Sequence, residues 1–475
     1  MIFKNLLAAL PGENEFRKVD IQVTGSILRA ISPAGTLKQS FPEEEYFDGE
    51  GLMAFPGAID PHVHFDEPGF THREDFFHGT CEAARGGVTT VIDMPCTSLP
   101  PVTSTEALKN KLEIIQTKAV VDYALYGGLH GAMSKRQIED IVQSLKDYVV
   151  GFKTYFLSGM DTFPTISHDL FREAIKACSA VSRPLLLHAE DDKVVAQFWK
   201  HQEMESAGAE PTWKDYYATR PMEAEIAACR HALELAAENA ATLHVVHVGT
   251  DEAAHMLKKG GASCETCTHY LAFDETDFER LGASLKTAPP VKEPTQKALL
   301  WKSLADGTIS FITSDHAGAP DYEKFTGNPL TAYGGIPGTG TIFPYLLSEG
   351  LFAGRLSLKR FLEATSSAAA RRYGLDDRKG SLEPGKDADL ILVDPDATTH
   401  FLPENMFSKS KITPFAGMRF AGRIVGTFVR GELVYGTSRL LGGNIPHSIR
   451  KHQLSASGTI VAAQGYGNNL QWRKK

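Results

Sequence analysis

IDPHVHFDEPG, residues 59–69, sets two histidines, His62 and His64, two positions apart at the end of an apolar run. A β-strand alternates with period 2, so both imidazoles leave the same face. Further along, a polar residue interrupts or closes four other apolar runs: Lys153 in VGFKTYF, His188 in RPLLLHAE, His247 in TLHVVHV and Asp315 in SFITSDHA. Imidazole and carboxylate donors together suit a divalent metal such as zinc. Each residue also has an ordinary reading. A lone interior histidine usually does no more than satisfy its hydrogen bonds, and a lone lysine usually snorkels to the surface. The recurrence of such residues in one run after another is what the ordinary reading does not produce.

The positioning elements can be read from the same rhythm. Eight apolar runs recur between residues 55 and 375: FPGAIDPHVH, VTTVIDMP, VDYALYGGL, VGFKTYF, RPLLLHAE, TLHVVHV, ASCETCTHYL and SFITSDHA. Between them lie segments with apolar residues at helical spacing, among them SKRQIEDIVQSLKDY and SHDLFREAIKACSAV. Strand–helix repeats of this kind predict an α/β fold, a (β/α)8 TIM barrel over residues 55–375. The active site of such a barrel lies at the C-terminal ends of its strands, which is where the six residues fall. Residues 1–54 turn often and predict short antiparallel strands, and residues 376–436 return to that pattern. The two segments are expected to meet in one small β-sandwich domain beside the barrel. Residues 437–475, polar and Gly-rich, read as a C-terminal extension.

Composition narrows the partners. The net charge is −9 with no long basic run, which argues against nucleic acid. No window approaches 18 uninterrupted apolar residues, so no membrane span is expected, and the N-terminus lacks the apolar core of a signal peptide. Six cysteines are too few for a disulfide scaffold and read as reduced, buried thiols of a cytoplasmic protein. The CETC stretch, Cys264 to Cys267, lacks the second pair that a thiolate zinc site needs and reads as core. His244 stands three residues before His247, so strand parity sends it to the opposite face, in a structural role. His269 and Tyr270 end the seventh run and are candidates for the pocket wall. His72, Arg73, Glu74 and Asp75 read as solvated or supporting residues of a loop.

The motifs DPHVHFDEPG, ARGGVTTVIDMP, GFKTYF, LLLHAED, HVVHVGT, ITSDHAG and GSLEPGKDADLILVD resemble those of the cyclic amidohydrolases: allantoinase, dihydroorotase and dihydropyrimidinase/hydantoinase. The resemblance runs from about Gly51 to Val434. It implies two divalent metal ions, expected to be zinc. His62 and His64 would hold the more buried ion, and His188 and His247 the more exposed one. Lys153 would carry a carbamate derived from CO2 and bridge both. Asp315 would bind the buried ion and shuttle the proton. The implied reaction is hydrolysis of a C–N bond in a cyclic amide or ureide, and the implied assembly is a homodimer or homotetramer.

Departures from the family's patterns rank the substrates. Dihydroorotases carry an arginine where this chain has Asp66, and an asparagine where it has Cys96. Dihydropyrimidinases carry a tyrosine where it has Ser158, although Tyr155 shares the strand face of Lys153. The stretches LKTAPPV and AYGGIPG resemble allantoinase. An allantoinase- or hydantoinase-like hydrolase is therefore expected first, and dihydroorotase second. A non-catalytic assembly protein on the same fold would have lost metal ligands, and none is missing here. Ser158, Thr287 and Gly335 are the expected substrate-binding residues.

Overall fold

The computed structural model describes residues 1–206, 209–239, 242–441 and 457–471. Five strands open the chain: β1 (Ile2–Ala8), β2 (Arg17–Thr24), β3 (Ile27–Pro33), β4 (Tyr46–Asp48) and β5 (Met53–Pro56). The barrel follows with β6 (Ala58–Val63), β7 (Val88–Asp93), β8 (Asp122–Leu125) and its short continuation β9 (Gly127–Gly128). It goes on through β10 (Phe152–Tyr155), β11 (Leu185–His188), β12 (Leu243–Val245), β13 (Ser263–Cys267) and β14 (Phe311–Thr313). The last strands are β15 (Leu390–His400), β16 (Arg419–Val429), β17 (Glu432–Gly436) and β18 (Thr459–Ile460). All eight apolar runs of the barrel are strands.

Barrel ladders are parallel throughout, in the orders β6-β7-β8 and β9-β10-β11-β12-β13-β14. Closure is made beside the site residues: Val63 bridges to His316, and the His64 N–H donates to the His316 carbonyl at 2.7 Å. The helices between strands follow their sequence signals. Ser134 and Gln137 form a capping box at the start of helix Lys135–Leu145, which buries Ile138, Val142 and Leu145 at helical spacing. Each such side chain contributes about 1.5–3 kcal/mol of burial. Inside the barrel, Ile59, Ile92, Ala124, Leu186, Phe311 and Tyr373 form an apolar floor.

The terminal segments meet as expected, in a single nine-stranded sheet with β5 between β1 and β15. Three strand spacings, about 14 Å, would separate β1 from β16 if that sheet were flat. The rings of Phe3 and Phe428 nevertheless lie 5.1 Å apart, so the sheet curls until its two arms face one core. Strand β15 serves two cores by alternation. Leu390 and Leu392 enter the curled sheet's core, while Ile391 and Val393 pack on the barrel. One expectation is corrected here. The N-terminal strands are not all antiparallel, because β4 and β5 both pair with β1 in parallel, brought there by crossovers that the turn-rich sequence conceals.

In the C-terminal extension, β18 pairs with β17, and Asn469 bridges to Tyr123 of β8. Leu470 ends in the apolar floor, so this part of the extension packs at the barrel's N-terminal side. Residues 442–456 and 472–475 of that extension lie outside the described residues. No described helix is long and apolar enough to cross a membrane. All six cysteines are buried and free.

Candidate metal centre

His62, His64, His188, His247 and Asp315 line one pocket of about 400 Å³ at the C-terminal ends of the barrel strands. Lys153 lies beneath it, wholly buried, with its Nζ 4.6 Å from the centre of the Tyr155 ring. The sequence-expected ligands therefore converge. His62 Nε2 and His64 Nε2 stand 3.2 and 3.3 Å from Asp315 Oδ1. Donors around a tetrahedral ion with bonds near 2.0–2.1 Å are spaced by about 3.3 Å. These three side chains accordingly have the separations of ligands that share one cation, and their donor atoms all lie within 4.8 Å of one another. On the other side, the rings of His188 and His247 are 4.6 Å apart.

Backbone strain gathers at the same place. His247 (φ 39°) and Asp315 (φ 50°) both occupy the left-handed region just past the ends of β12 and β14. Non-glycine residues enter it at a cost of about 1–3 kcal/mol, and do so mostly where function fixes a side chain. This corrects the parity argument about His244. The strand stops at Val245 and the chain then turns, so His244 and His247 both face the barrel interior. His244 remains below the pocket, stacked on Phe311.

The charges suit ligands. Burial pushes the imidazoles of His62, His188 and His247 below their ordinary range, leaving neutral rings with free lone pairs. His64 behaves oppositely. Burial works against its charged form, but Cys96 and Asp315 outweigh it and bring the ring to about 10. Burial also opposes the charged Asp315 carboxyl, and His62, His64 and His247 override it to hold the group well below the carboxylate range. Positive charge is what this end of the pocket favours. Lys153 is lowered to about 8, chiefly by burial, and its Nζ has no hydrogen-bond partner.

Several residues that hold this arrangement escaped the sequence reading. Glu265, the glutamate inside CETC, contacts His62 Nδ1 at 2.7 Å through Oε1 and His244 Nε2 at 3.2 Å through Oε2. It fixes the His62 tautomer so that Nε2 faces Asp315. Asp60 accepts from the Thr313 hydroxyl at 3.0 Å and the Ser314 N–H at 3.1 Å, which locks β6 to the chain entering Asp315. Glu190 contacts His188 Nε2 at 2.8 Å and pairs with Arg220 at 2.5 Å. A carboxylate inside an expected barrel strand was the available signal for Asp60 and Glu265.

Among the expected substrate-binding residues, Ser158 lines the pocket. Thr287 and Gly335 do not, and their neighbours Ala288 and Gly334 stand on the wall instead. Their carbonyls serve structure: Thr287 accepts from the Tyr216 hydroxyl and Gly335 from Lys324 Nζ. Neither His269 nor Tyr270 reaches the wall, both being buried behind it. Trp199, Tyr216, Leu157, Met160, Leu330 and Tyr333 supply the apolar lining. In the 72–75 loop, Arg73 donates to Glu323 and covers the Tyr333 ring at 4.5 Å, while buried Glu74 pairs with His316. Asp66 lies outside the lining, with both carboxylate oxygens buried and unpartnered. Burial raises it to about 8, so it is mostly uncharged at pH 7. Position 66 thus supplies neither an arginine nor a full negative charge, and the guanidinium on the pocket wall is that of Arg220, which pairs with Glu190.

A barrel with candidate metal-ligand side chains at its strand ends has clear relatives. Residues 53–434 match the Amidohydrolase family, and the chain belongs to it. It is a metal-dependent hydrolase of cyclic amides. It is 35% identical over 437 residues to an allantoinase of Rubrobacter xylanophilus, covering 91% of this chain and 94% of that one. An allantoinase of Deinococcus radiodurans is 32% identical over 432 residues, covering 90% and 93%. Among solved structures, the L-hydantoinase (dihydropyrimidinase) from Arthrobacter aurescens superposes with a TM-score of 0.87 at 29% identity, covering 99% of both chains. The D-hydantoinase from Bacillus sp. AR9 gives 0.83 at 25% identity, covering 100% of both.

Proposed function

We propose that this enzyme opens the hydantoin ring of allantoin, with a pair of zinc ions that His62, His64, His188, His247, Asp315 and a carbamate on Lys153 would hold. The supporting observation is the Lys153 amine. It is buried without a partner below His62, His188, His247 and Asp315, whose imidazoles and carboxylate surround the pocket floor. A bare ammonium there is costly, and burial shifts the amine toward the neutral form that adds CO2. A carbamate on Lys153 would offer two anionic oxygens as metal donors. His62, His64 and Asp315 fit one ion, His188 and His247 the other. Two imidazoles plus carboxylates are a zinc-type donor set. When bound, the ions supply Lewis acidity and a water acidic enough to attack a carbonyl at neutral pH.

The chain's own groups do the rest. Asp315 keeps 14% of its side chain exposed, within the pocket. It takes the proton of the attacking water and delivers it to the leaving ring nitrogen. The Tyr155 hydroxyl, 3.0 Å from Cys96 Sγ on the wall, and the Ser158 hydroxyl orient the ring carbonyl. Trp199, Tyr216, Leu157 and Met160 shield the reaction from bulk water. Allantoin is neutral and needs no cation dedicated to a carboxylate. The relatives named allantoinase align along nine-tenths of the chain, which supports this substrate. Hydantoin is the second candidate, supported by the superposition on L-hydantoinase.

The experiment is a hydrolysis screen of the zinc- and bicarbonate-loaded protein against allantoin, hydantoin, dihydrouracil and dihydroorotate. Allantoin is expected to give the highest kcat/KM and dihydroorotate none. Turnover of hydantoin with inert allantoin would replace the substrate while leaving the centre intact.

A further inference from the structure

A second constellation of metal-binding side chains lies outside the pocket. His168 opens helix His168–Ala180, His231 lies within helix Met222–Ala237, and Asp191 stands between β11 and helix Asp192–Ser206. None of the three lines the substrate pocket. One donor atom from each lies within 4.8 Å of the other two. The two imidazole rings are 4.9 Å apart and inclined at 61°.

The simplest alternative is a His231–Asp191 ion pair with His168 packed against it. The geometry speaks against that. His231 Nδ1 stands 3.3 Å from Asp191 Oδ2 but is not aligned for a hydrogen bond, and this buried nitrogen has no other partner. A separation of about 3.3 Å is that of two donors on one tetrahedral ion. Asp191 is also divided in its duties. Its Oδ1 accepts the N–H groups of Lys193 and Val194 at 3.1 and 3.0 Å, which fixes the carboxylate and leaves Oδ2 for a ligand role. Burial and the neighbouring His231 both push His168 down, toward the neutral ring that binds metal. The His231 side chain is 41% exposed, so an ion could enter from solvent and keep water in its fourth position.

We propose that His168, Asp191 and His231 form a further zinc-type site, separate from the pair of ions proposed for the pocket. Two imidazoles and one carboxylate favour Zn²⁺ over Mg²⁺ or Ca²⁺, which prefer oxygen. The ion ties two helices to the loop after β11. That loop carries Glu190, the residue against His188, so zinc here stiffens one edge of the catalytic centre. Asp191 caps a helix and is left unaltered in the test.

Zinc content is measured by mass spectrometry after dialysis against zinc, for the wild type and for His168→Ala/His231→Ala. The double variant is expected to hold one ion fewer per protomer. A second measurement uses the unaltered protein. Diethyl pyrocarbonate modification of His168 and His231 is read by peptide mapping in zinc or in magnesium. Zinc at ten times its dissociation constant should slow both modifications about tenfold, and magnesium should leave them unchanged. Equal zinc content in the two proteins, or rings that react as fast in zinc as in magnesium, would overturn the site.

Discussion

Glu265 Oε1 lies 2.7 Å from His62 Nδ1, so the ring proposed to hold the inner ion is oriented by a carboxylate two strands away. The same glutamate reaches His244 and is wholly buried, and burial raises its pKa well above the usual range. Glu265→Gln keeps the shape and replaces the carboxyl oxygen against His62 Nδ1 by an amide group, which holds the ring less firmly. Zinc affinity is expected to fall by about 10–100-fold, the usual cost of losing such a partner. Competition with a chelator of known affinity reads this directly, and an unchanged affinity would mean that Glu265 serves only the barrel core.

Lys153 gives a pH signature. With its pKa near 8, the neutral amine is a small minority at pH 7 and the majority at pH 9. Reactivation of metal-free, decarboxylated protein by zinc and CO2, at constant dissolved CO2, should be about tenfold slower at pH 7 than at pH 9, levelling off above pH 8. An ordinary lysine would keep gaining speed throughout that range. Lys153→Ala should lose both activity and tightly held metal, and short carboxylic acids should restore part of each. A fully active alanine variant would rule out the bridge.

Asp315 touches both inner histidines, yet its proposed work is proton transfer. Asp315→Asn preserves volume and removes the base. Turnover is expected to drop by at least about 10²-fold while the thermal midpoint stays within a few degrees of wild type. A near-normal kcat would take Asp315 out of the mechanism.

The sequence showed the six converging residues because each is a polar intrusion into an apolar run, and a closed barrel turns such intrusions toward one end. The same logic made all eight strands legible. It failed where the chain leaves regular alternation. His244 could not be placed by parity, because the left-handed turn at His247 resets the count. Glu265 was hidden by its flanking cysteines, which drew attention to thiol chemistry. Thr287 and Gly335 sit one residue from the wall, a distinction set by hydrogen bonds from Tyr216 and Lys324 that no local pattern announces.

Lys379 tests how the barrel and the curled sheet are joined. Its buried Nζ lies 2.7 Å from Asp122 in β8, 3.0 Å from Asp387 and 2.8 Å from Asp389, just before β15. Burial opposes the charge, but Asp389, Asp122 and Asp387 outweigh it and raise the lysine above its ordinary range. Lys379→Met fills the space and leaves this acidic cluster short of its central cation. Arg430 reaches Asp122 at 3.4 Å and Arg378 reaches Asp387 at 2.8 Å, which compensates only in part. The loss is expected to be about 3–5 kcal/mol, as for other buried ion pairs broken on one side. The urea midpoint measures it, with zinc held constant because bound metal also stabilises the fold. The acids lie at the barrel's N-terminal side, away from the pocket, so kcat of the folded variant should match wild type. A variant as stable as wild type would show that the aspartates can take up protons or solvent without loss, and that the two parts are held together by their apolar contacts alone.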